Sequence, residues 1–283
     1  MDKLILKSPA KINLFLEVFK KRKDGFHQIH TLFQAVNFYD SIHIKKSKKN
    51  GTFIKTDCRQ LPTDNKNIVY RAVEALRQKR DFGGAQITIK KKIPLAAGLG
   101  GGSSNAAVVL AGINKLYNLK LSDEELCKIA IKLGSDTAFF SGGYKSAFGR
   151  GRGEILEPVE LPRYWFLLIF PDFGVSSKEA YEGLELGLTK KNKDAKMLFR
   201  ALKTKDITQI EKELYNKLEE TVFEKFPIMK KTKEIIKTAG YKAVLMSGSG
   251  STFFVLTSTR KEAVAAKERL RFLGWRMQIA GSL

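Results

Sequence analysis

The strongest chemical signal in the sequence is a glycine-rich segment, residues 94–105, with the letters PLAAGLGGGSSN. Glycine lacks a Cβ, so a run of glycines lets backbone N–H groups approach phosphate oxygens closely. An apolar helical pattern follows at residues 106–116, and a helix N-terminus adds unpaired N–H donors and a partial positive charge. The segment therefore predicts a phosphate-binding loop, in which Ser103 and Ser104 offer hydroxyls to phosphate oxygens or to a Mg²⁺ ion.

Two common nucleotide-binding patterns do not describe this loop. A Walker A loop ends in Gly-Lys-[Ser/Thr], whereas here Gly102 is followed by Ser103. The dinucleotide pattern G-x-G-x-x-G, counted from Gly98, finds Gly100 and then a serine at the third glycine position. A flexible surface turn is the simplest alternative, but consecutive glycines that lead directly into a helical pattern favour a phosphate loop.

The segment P-x-x-x-G-L-G-G-G-S-S-N resembles the phosphate loop of the GHMP kinases, the superfamily of galactokinase and of homoserine, mevalonate and phosphomevalonate kinases. Residues 8–13, SPAKIN, and 246–252, MSGSGST, resemble its first and third motifs, in the expected order. Each is weak alone, because a lysine near an N-terminal strand is usually a solvated charge and GSGS is usually a linker. Three agreeing segments favour membership over coincidence.

Residues 24–34, DGFHQIHTLFQ, are the most discriminating segment. They resemble the substrate segment of those GHMP kinases that phosphorylate a cytidine-diphosphate-linked methylerythritol on the non-mevalonate route to isoprenoids. The resemblance extends over essentially the whole chain, including residues 64–72, 133–136 and 149–156. It argues against a GHMP kinase for mevalonate, homoserine or a sugar, because those substrates offer no base to stack.

The resemblance implies a cytosine site formed by aromatic side chains. Phe26, Phe33 and Tyr181 would sandwich the base while His27 hydrogen-bonds to its edge, which flat rings and an imidazole can do. Without the resemblance, His27 is typical of an ordinary loop or core histidine. Tyr181, with Leu184 and Leu188, also fits an apolar helical stripe.

Phosphoryl transfer depends on positioning, on charge stabilisation and on a carboxylate that accepts or orients the hydroxyl proton. The resemblance implies Asp136 as the catalytic base and Lys11 as its partner, which keeps the carboxylate ionised and stabilises developing negative charge. It also implies that Asn13 contacts the erythritol part. Taken alone, Asp136 after Gly134 is typical of a turn that ends a helix.

ATP is the expected co-substrate, with Mg²⁺ to neutralise phosphate charge. The resemblance implies an adenine pocket at Asn67 and Ile68. It implies phosphate contacts along the loop, at Pro94, Leu95, Ala96, Ala97, Gly98, Leu99, Gly100, Gly101, Gly102, Ser103 and Ser104. No metal site built from protein ligands is expected, because the three histidines and two cysteines show no ligand spacing.

The sequence departs from the family pattern at two places near these residues. The family usually has tyrosine where Phe26 stands, so stacking is retained and a phenolic hydrogen bond is lost. After the aspartate it usually has a small residue and then proline, whereas this chain has Thr137 and Ala138. The turn that aims Asp136 is therefore less rigidly specified.

The elements that position these residues follow from periodicity and capping signals. Strands are predicted at residues 3–7, 12–19, 31–36, 41–44, 86–91, 164–170, 242–246, 252–256 and 276–279. Helices are predicted at 67–80 with Asn67 as N-cap, 103–117, 122–134 with a Ser122–Glu125 capping box and a Gly134 stop, 178–186, 194–203, 207–223, 229–239 and 260–272.

This mixture predicts an α+β protein. A proline-bounded connector at residues 158–162 marks the expected boundary, with an N-terminal domain at 1–157 and a C-terminal domain at 158–283. The resemblance implies the two-domain GHMP kinase fold, whose N-terminal half is ribosomal-protein-S5-domain-2-like. The C-terminal half is expected to be ferredoxin-like α/β.

Charge is the unusual feature of the composition. The 283 residues include 51 Lys and Arg against 29 Asp and Glu, a net charge of +22. A charge of this size is typical of proteins that bind nucleic acid, a membrane surface or an anionic substrate. The positive residues are spread in short lysine runs without an aromatic RNA-binding signature, which favours a solvated surface that attracts anionic substrates over a nucleic-acid-binding protein.

The remaining expectations concern location and assembly. No apolar run approaches the ~18 residues that a membrane helix requires, and the first residues lack a signal-peptide pattern. We therefore expect a soluble cytoplasmic kinase that uses a small-molecule substrate and ATP, binds neither nucleic acid nor membrane, and is a monomer or a weak homodimer.

Overall fold

The computed structural model describes residues 2–184 and 193–283, which form two compact units. Each unit is assembled from stretches that are not adjacent in sequence. Unit 1 comprises Met1–Ala10, Phe38–Leu95 and Gly100–Tyr144, and unit 2 comprises Lys11–Asn37, Ala96–Leu99 and Lys145–Leu283. The expected division at residues 157 and 158 stays a prediction.

The first two strands are longer than the sequence pattern predicts. β1 is Lys3–Lys21 and β2 is His27–Ser47, and each contributes residues to both units. The predicted break at Ser8 and Pro9 is wrong, since β1 continues through it. A proline is tolerated in a strand wherever no ladder donor is needed.

Unit 1 consists of a small sheet covered by helices. Its further strands are β3 (Thr52–Thr56) and β4 (Gly84–Lys90), and β4 pairs in parallel with β3 and antiparallel with the end of β2. The helices are α1 (Ile68–Arg77), α2 (Gly101–Tyr117), α3 (Asp123–Leu133) and α4 (Ser135–Ser141). One apolar core joins sheet and helices through Ile42, Ile44, Ile87, Ile89, Val69, Val73, Leu76, Val109, Leu110 and Ile113.

Local capping signals in unit 1 are confirmed. The Asn67 side chain accepts a hydrogen bond from Val69 N at 2.8 Å and begins α1. Ser122 and Glu125 form the predicted capping box, and Gly134 ends α3. Helix α4, which carries Asp136 in its first turn, had no counterpart among the predicted helices.

Unit 2 contains strand pairs from the first half of the chain and a second, four-stranded sheet. In the first group, β5 (Ser146–Arg150) pairs antiparallel with β2 and with β6 (Ile155–Pro158), and β8 (Tyr215–Asn216) pairs in parallel with β1. The second sheet is antiparallel, and its strands in spatial order are β11 (Arg276–Gly281), β7 (Trp165–Phe170), β10 (Phe253–Thr257) and β9 (Val244–Met246).

Helices complete unit 2. They are α5 (Ser177–Tyr181), α6 (Ala195–Thr204), α7 (Ile207–Glu213), α8 (Leu218–Lys225), α9 (Pro227–Thr238) and α10 (Arg260–Leu270), and a 3₁₀ turn spans Arg271–Leu273. A core cluster joins the second sheet to them through Leu167, Ile169, Val222, Met229, Ile236, Val244, Phe253, Val255, Ala266 and Leu270.

Two helix predictions in unit 2 need correction. The predicted helix 207–223 is wrong as a single element, because α7 and α8 are separated by β8. Its apolar spacing fits a helix, but pairing with β1 and the hydrogen bond that Leu218 N donates to Asn216 Oδ1 override that local preference. Within the described residues, the predicted helix 178–186 ends at Tyr181, as α5, while positions 185 and 186, and Leu188 of the apolar stripe, lie outside the described residues.

Candidate active site

The phosphate loop contributes residues to both units, and its middle part, Ala96–Leu99, bends tightly within unit 2. Gly98 has a φ of 72°, and a Cβ at Gly98 would lie 1.9 Å from the Ser247 carbonyl oxygen. The third predicted motif therefore packs against the loop so closely that only glycine fits at this position. Leu99 is tied to β1 by a hydrogen bond from Lys11 N to Leu99 O at 3.0 Å.

The last part of the loop, in unit 1, leads into α2. This helix begins at Gly101, two residues before the predicted start, and Ser104 N donates to Gly100 O at 2.9 Å. The N–H groups of the first helical turn have no acceptor within the helix, so they form the expected anion-binding end. Gly102 is exposed and Ser103 is half-buried, so both are accessible to a ligand.

Exposure divides the predicted phosphate contacts into accessible and interior positions. Ala96 and Gly102 are exposed, and Pro94, Leu95, Gly98, Gly100 and Ser103 are half-buried. Ala97, Leu99, Gly101 and Ser104 are buried. The hydroxyl of Ser104 accepts a hydrogen bond from Ser8 Oγ at 2.7 Å. Ser104 therefore supports the loop from inside, and Ser103 is the more accessible hydroxyl.

A buried aspartate, Asp40, fixes the chain just before the loop. Its carboxylate accepts hydrogen bonds from Lys92 N at 2.7 Å and Ile93 N at 2.9 Å, and pairs with the Lys91 ammonium. It also accepts from Asn105 Nδ2 at 2.9 Å. Sequence reasoning missed this residue, and the available signal was a lone acid between apolar strand positions.

Ile68, from the predicted adenine pocket, and the start of the helix that carries the predicted catalytic base Asp136 lie near Ser103. A Cβ at Gly134 would lie 3.4 Å from Thr137 Oγ1, 3.9 Å from Ser103 Oγ and 4.0 Å from Ile68 Cδ1. Asp136 is half-buried in the turn that begins there. The structure thus brings Ile68, Ser103 and the start of α4 together. Asn67 is buried, and its amide is used for the α1 cap and for a hydrogen bond to Pro62 O at 2.6 Å.

Lys11 and Asn13 meet in unit 2, where they share a hydrogen bond. Lys11 is 3% exposed, and its Nζ donates to Asn13 Oδ1 at 2.6 Å and to Gly98 O at 3.2 Å. Asn13 Nδ2 donates to Thr31 Oγ1 at 2.8 Å. The lysine predicted for catalysis and the asparagine predicted for substrate binding therefore orient one another beside the loop carbonyl.

The aromatic residues predicted for the base occupy different depths of unit 2. The His27 and Tyr181 rings are stacked, with centroids 5.1 Å apart and planes at 22°. Phe26 is 51% exposed, and the Arg152 guanidinium lies 4.7 Å from its ring centroid. Phe33 is 1% exposed, with the Lys11 ammonium 5.4 Å from its ring. Its stacking role stays a prediction.

The electrostatic surroundings of His27 favour a neutral imidazole. Partial burial, and then the positive charge of Lys21, lower the pKa of His27 below its usual 6.5. A neutral imidazole has one donor and one acceptor nitrogen, which suits the mixed donor and acceptor edge of a nucleobase.

The chain is similar to known kinases over nearly its whole length. A family model described as "GHMP kinases N terminal domain" matches residues 67–144, and one described as "GHMP kinases C terminal" matches residues 198–274. A 4-diphosphocytidyl-2-C-methyl-D-erythritol kinase of Clostridioides difficile (strain 630) is 39% identical, over 95% of this chain and 92% of the relative. The same enzyme of Carboxydothermus hydrogenoformans is 40% identical, over 92% and 90%.

The chain belongs to the 4-diphosphocytidyl-2-C-methyl-D-erythritol kinase family of GHMP kinases. A crystal structure of a 4-(cytidine 5'-diphospho)-2C-methyl-D-erythritol kinase has a TM-score of 0.84 and 33% identity, and the match covers 98% of both chains. A homoserine kinase from Cytophaga hutchinsonii, at a TM-score of 0.73 and 22% identity, shares the fold. The predicted α+β fold of GHMP kinase type is confirmed, and the protein is a phosphotransferase that uses ATP.

Within residues 2–184 and 193–283, no group of three or more His, Cys, Asp and Glu side chains is arranged to hold a metal ion. In the same part of the chain, no helix has the length and apolar character needed to cross a membrane.

Proposed function

We propose that this kinase transfers the γ-phosphoryl group of ATP to the 2-hydroxyl of 4-diphosphocytidyl-2-C-methyl-D-erythritol, in non-mevalonate isoprenoid biosynthesis. The products are the 2-phosphate and ADP. The observation that carries the substrate is the stack of His27 on Tyr181 in the same unit as the exposed ring of Phe26. Flat rings and a neutral imidazole suit a cytosine base, whereas mevalonate, homoserine and sugars offer no base to such a surface.

The chemical roles follow the charges of the residues. Asp136 accepts the proton of the substrate's 2-hydroxyl while the hydroxyl oxygen bonds to the γ-phosphorus of ATP. The bond between that phosphorus and the β–γ bridging oxygen breaks, and ADP leaves. The Lys11 ammonium stabilises the negative charge of the transferred group. Asn13 orients Lys11 through its 2.6 Å hydrogen bond and contacts the erythritol part of the substrate.

ATP is held by the adenine pocket at Asn67 and Ile68 and by the phosphate loop. The hydroxyls near Gly134 suit Mg²⁺, which prefers hard oxygen ligands and retains several waters. Thr137 Oγ1 is buried and has no hydrogen-bond partner among the described residues, and both it and Ser103 Oγ lie within 4 Å of where a Cβ on Gly134 would be. Ser103 and Thr137 would hold the ion with the ATP phosphates, which leaves Asp136 to act as proton acceptor. Bound Mg²⁺ neutralises phosphate charge.

The proposal extends to the location, oligomeric state and partners of the enzyme. We place it in the cytoplasm as a monomer or weak homodimer, without nucleic-acid or membrane partners. The net charge of +22 then favours the approach of two polyanionic substrates. In that case kcat/KM falls as ionic strength rises, and a kcat/KM independent of salt would exclude this steering.

The test is a coupled assay of ADP release with the cytidine substrate, mevalonate, homoserine and galactose offered separately. We expect turnover of the cytidine substrate alone. Asp136→Asn removes the base at constant shape and should lower kcat by at least ~10²-fold, while the matched variant Asp81→Asn, at an exposed position, keeps wild-type rates. Turnover of another alcohol, or full activity in Asp136→Asn, would contradict the proposal.

A further inference from the structure

A buried asparagine of unit 2, Asn216 on β8, makes contacts that the roles above do not use. It is 3% exposed. Its Nδ2 donates two hydrogen bonds, to Met246 O at 2.8 Å and to Gly248 O at 2.8 Å. Its Oδ1 accepts from Leu218 N at 3.0 Å. Both amide hydrogens are therefore directed at the carbonyls on either side of Ser247.

Asn216 is itself held against the strand that carries Lys11. In β8, Tyr215 and Asn216 pair in parallel with Phe15 and Leu16 of β1, and Lys217 N donates to Leu16 O at 2.8 Å. This short pairing interrupts what the sequence pattern predicts as one helix. The asparagine therefore has a fixed position relative to β1, which also carries Lys11 and Asn13.

A second side chain from the same segment holds the same backbone. Glu219, in the first turn of α8, accepts a hydrogen bond from Met246 N at 2.9 Å and pairs with Lys233. The N–H of Met246 is thus bound by Glu219 and its carbonyl by Asn216. A buried backbone segment with both polar groups satisfied by side chains has little freedom to shift.

The held segment, Met246 to Gly248, touches Lys11 and its partners directly. Ser247 Oγ donates to Gly98 O at 3.0 Å, the carbonyl to which Lys11 Nζ donates at 3.2 Å. Asn13 N donates to Ser247 Oγ at 3.3 Å. At Gly248, a Cβ would lie 3.1 Å from Asn13 Oδ1 and 3.4 Å from Lys11 Nζ. Any shift of this segment is therefore transmitted to the ammonium group.

We propose that Asn216 is a positioning residue for phosphoryl transfer, acting on Lys11 through the segment Met246 to Gly248. The two hydrogen bonds from Asn216 Nδ2 hold Ser247 and Gly248 in place. Ser247 in turn binds the Gly98 carbonyl and the backbone N–H of Asn13, and both Gly98 and Asn13 bind the Lys11 ammonium. This inference rests on the proposed function for the role of Lys11. A residue that served folding alone would affect the melting temperature and leave kcat unchanged.

The first experiment is the isosteric variant Asn216→Asp, which keeps an acceptor for Leu218 N and removes both donors. We expect kcat to fall by about 10–100-fold, because small misplacements of reacting groups cost that much, while KM for ATP changes by less than about 3-fold. If this variant yields too little folded protein, Asn216→Ser replaces it, and we expect the same fall in kcat with little change in KM for ATP. A wild-type kcat in a folded variant would overturn the proposal.

A matched control exists in unit 1, where Asn114 holds a loop in the same way. Its Nδ2 donates to Leu121 O at 2.9 Å, and its Oδ1 accepts from Leu121 N at 3.1 Å. Asn114→Asp removes the same chemical groups away from Lys11. We expect it to lower stability and to leave kcat within about 2-fold, as for a loop contact outside the site. An equal kcat loss in both variants would show a general effect of destabilisation and overturn the proposal.

A readout independent of turnover separates this inference from the proposed function. Acylation of the folded protein, followed by proteolysis and mass spectrometry of the peptide that carries Lys11, reports how tightly the Lys11 ammonium is held. We expect faster labelling in Asn216→Asp than in the wild type, and no change in Asn114→Asp. Wild-type silence on the cytidine substrate would refute the proposed function, while unchanged Lys11 labelling in Asn216→Asp would refute the positioning role.

Ser247→Ala completes a double-mutant cycle with Asn216→Asp. If Asn216 acts through Ser247, the loss of kcat in the double variant is smaller than the product of the two single losses. Losses that multiply would show independent routes and contradict the proposal.

Discussion

Replacing Gly98 by alanine tests how closely the phosphate loop depends on the third motif. The residue has a φ of 72°, and its Cβ would lie 1.9 Å from the Ser247 carbonyl oxygen and 3.0 Å from Gly250 N. Both contacts are with backbone atoms, which cannot rotate away as a side chain can. The chain must therefore move, either at the loop or at residues 247–250.

The size of the effect follows from these two features. A left-handed backbone costs alanine about 1–2 kcal/mol relative to glycine. Relief of the contact requires a displacement of roughly 1 Å next to Lys11, and misplacement on that scale costs about 10²-fold in rate. We therefore expect Gly98→Ala to lower kcat/KM by at least about two orders of magnitude, well beyond what the loss of stability accounts for.

Gly274→Ala is the matched control, because Gly274 has the same φ of 72° and, its two chain neighbours aside, no atom of the described residues lies within 4 Å of its Cβ position. It incurs the backbone cost without the contact. The measurement is steady-state kinetics with the cytidine substrate, together with melting curves of both variants. We expect both variants to remain folded at the assay temperature, Gly98→Ala with the lower melting temperature, and a large loss of activity in Gly98→Ala alone. Equal activity of the two alanine variants would refute the reasoning.

Three further predictions concern other parts of the site. Asp40→Asn leaves the Lys91 ammonium buried without its ion-pair partner, which should cost about 3–5 kcal/mol, seen as a fall in the urea midpoint; an unchanged midpoint would contradict it. Because partial burial lowers the pKa of His27 from its usual 6.5, its imidazole is neutral at pH 7 and takes up a proton only as the pH falls below that usual value, so KM for the cytidine substrate should rise on the acid side, and His27→Gln should abolish that dependence. Arg152→Met removes the cation beside the Phe26 ring, a contact that contributes about 0.5–1 kcal/mol, so KM should rise a few-fold at constant kcat; a loss in kcat instead would mean that Arg152 acts on the reaction itself.

Local chemistry was predictable from the sequence. The phosphate loop, the Asn67 cap, and the capping box of α3 depend on residues that are neighbours in the chain, so their side chains and backbone groups meet without help from the fold. The family followed from the resemblance of the three motifs and of residues 24–34 to known kinases, and the mixture of strand and helix patterns gave the α+β class. The candidate residues Lys11, Asn13, Asp136 and His27 followed from that resemblance.

Contacts between distant segments were decided only by the tertiary structure. The pairing of β8 with β1 overrides a helical pattern at residues 207–223 and places Asn216 beside the backbone of Met246. Ser104 is buried and hydrogen-bonded to Ser8, although its position in the glycine-rich segment predicts a phosphate contact. The hydrogen-bonded group of Lys11, Asn13 and Gly98 joins parts of the chain that no local pattern relates. The physical reason is that a buried polar group must find a partner, and which partner it finds depends on how the chain packs.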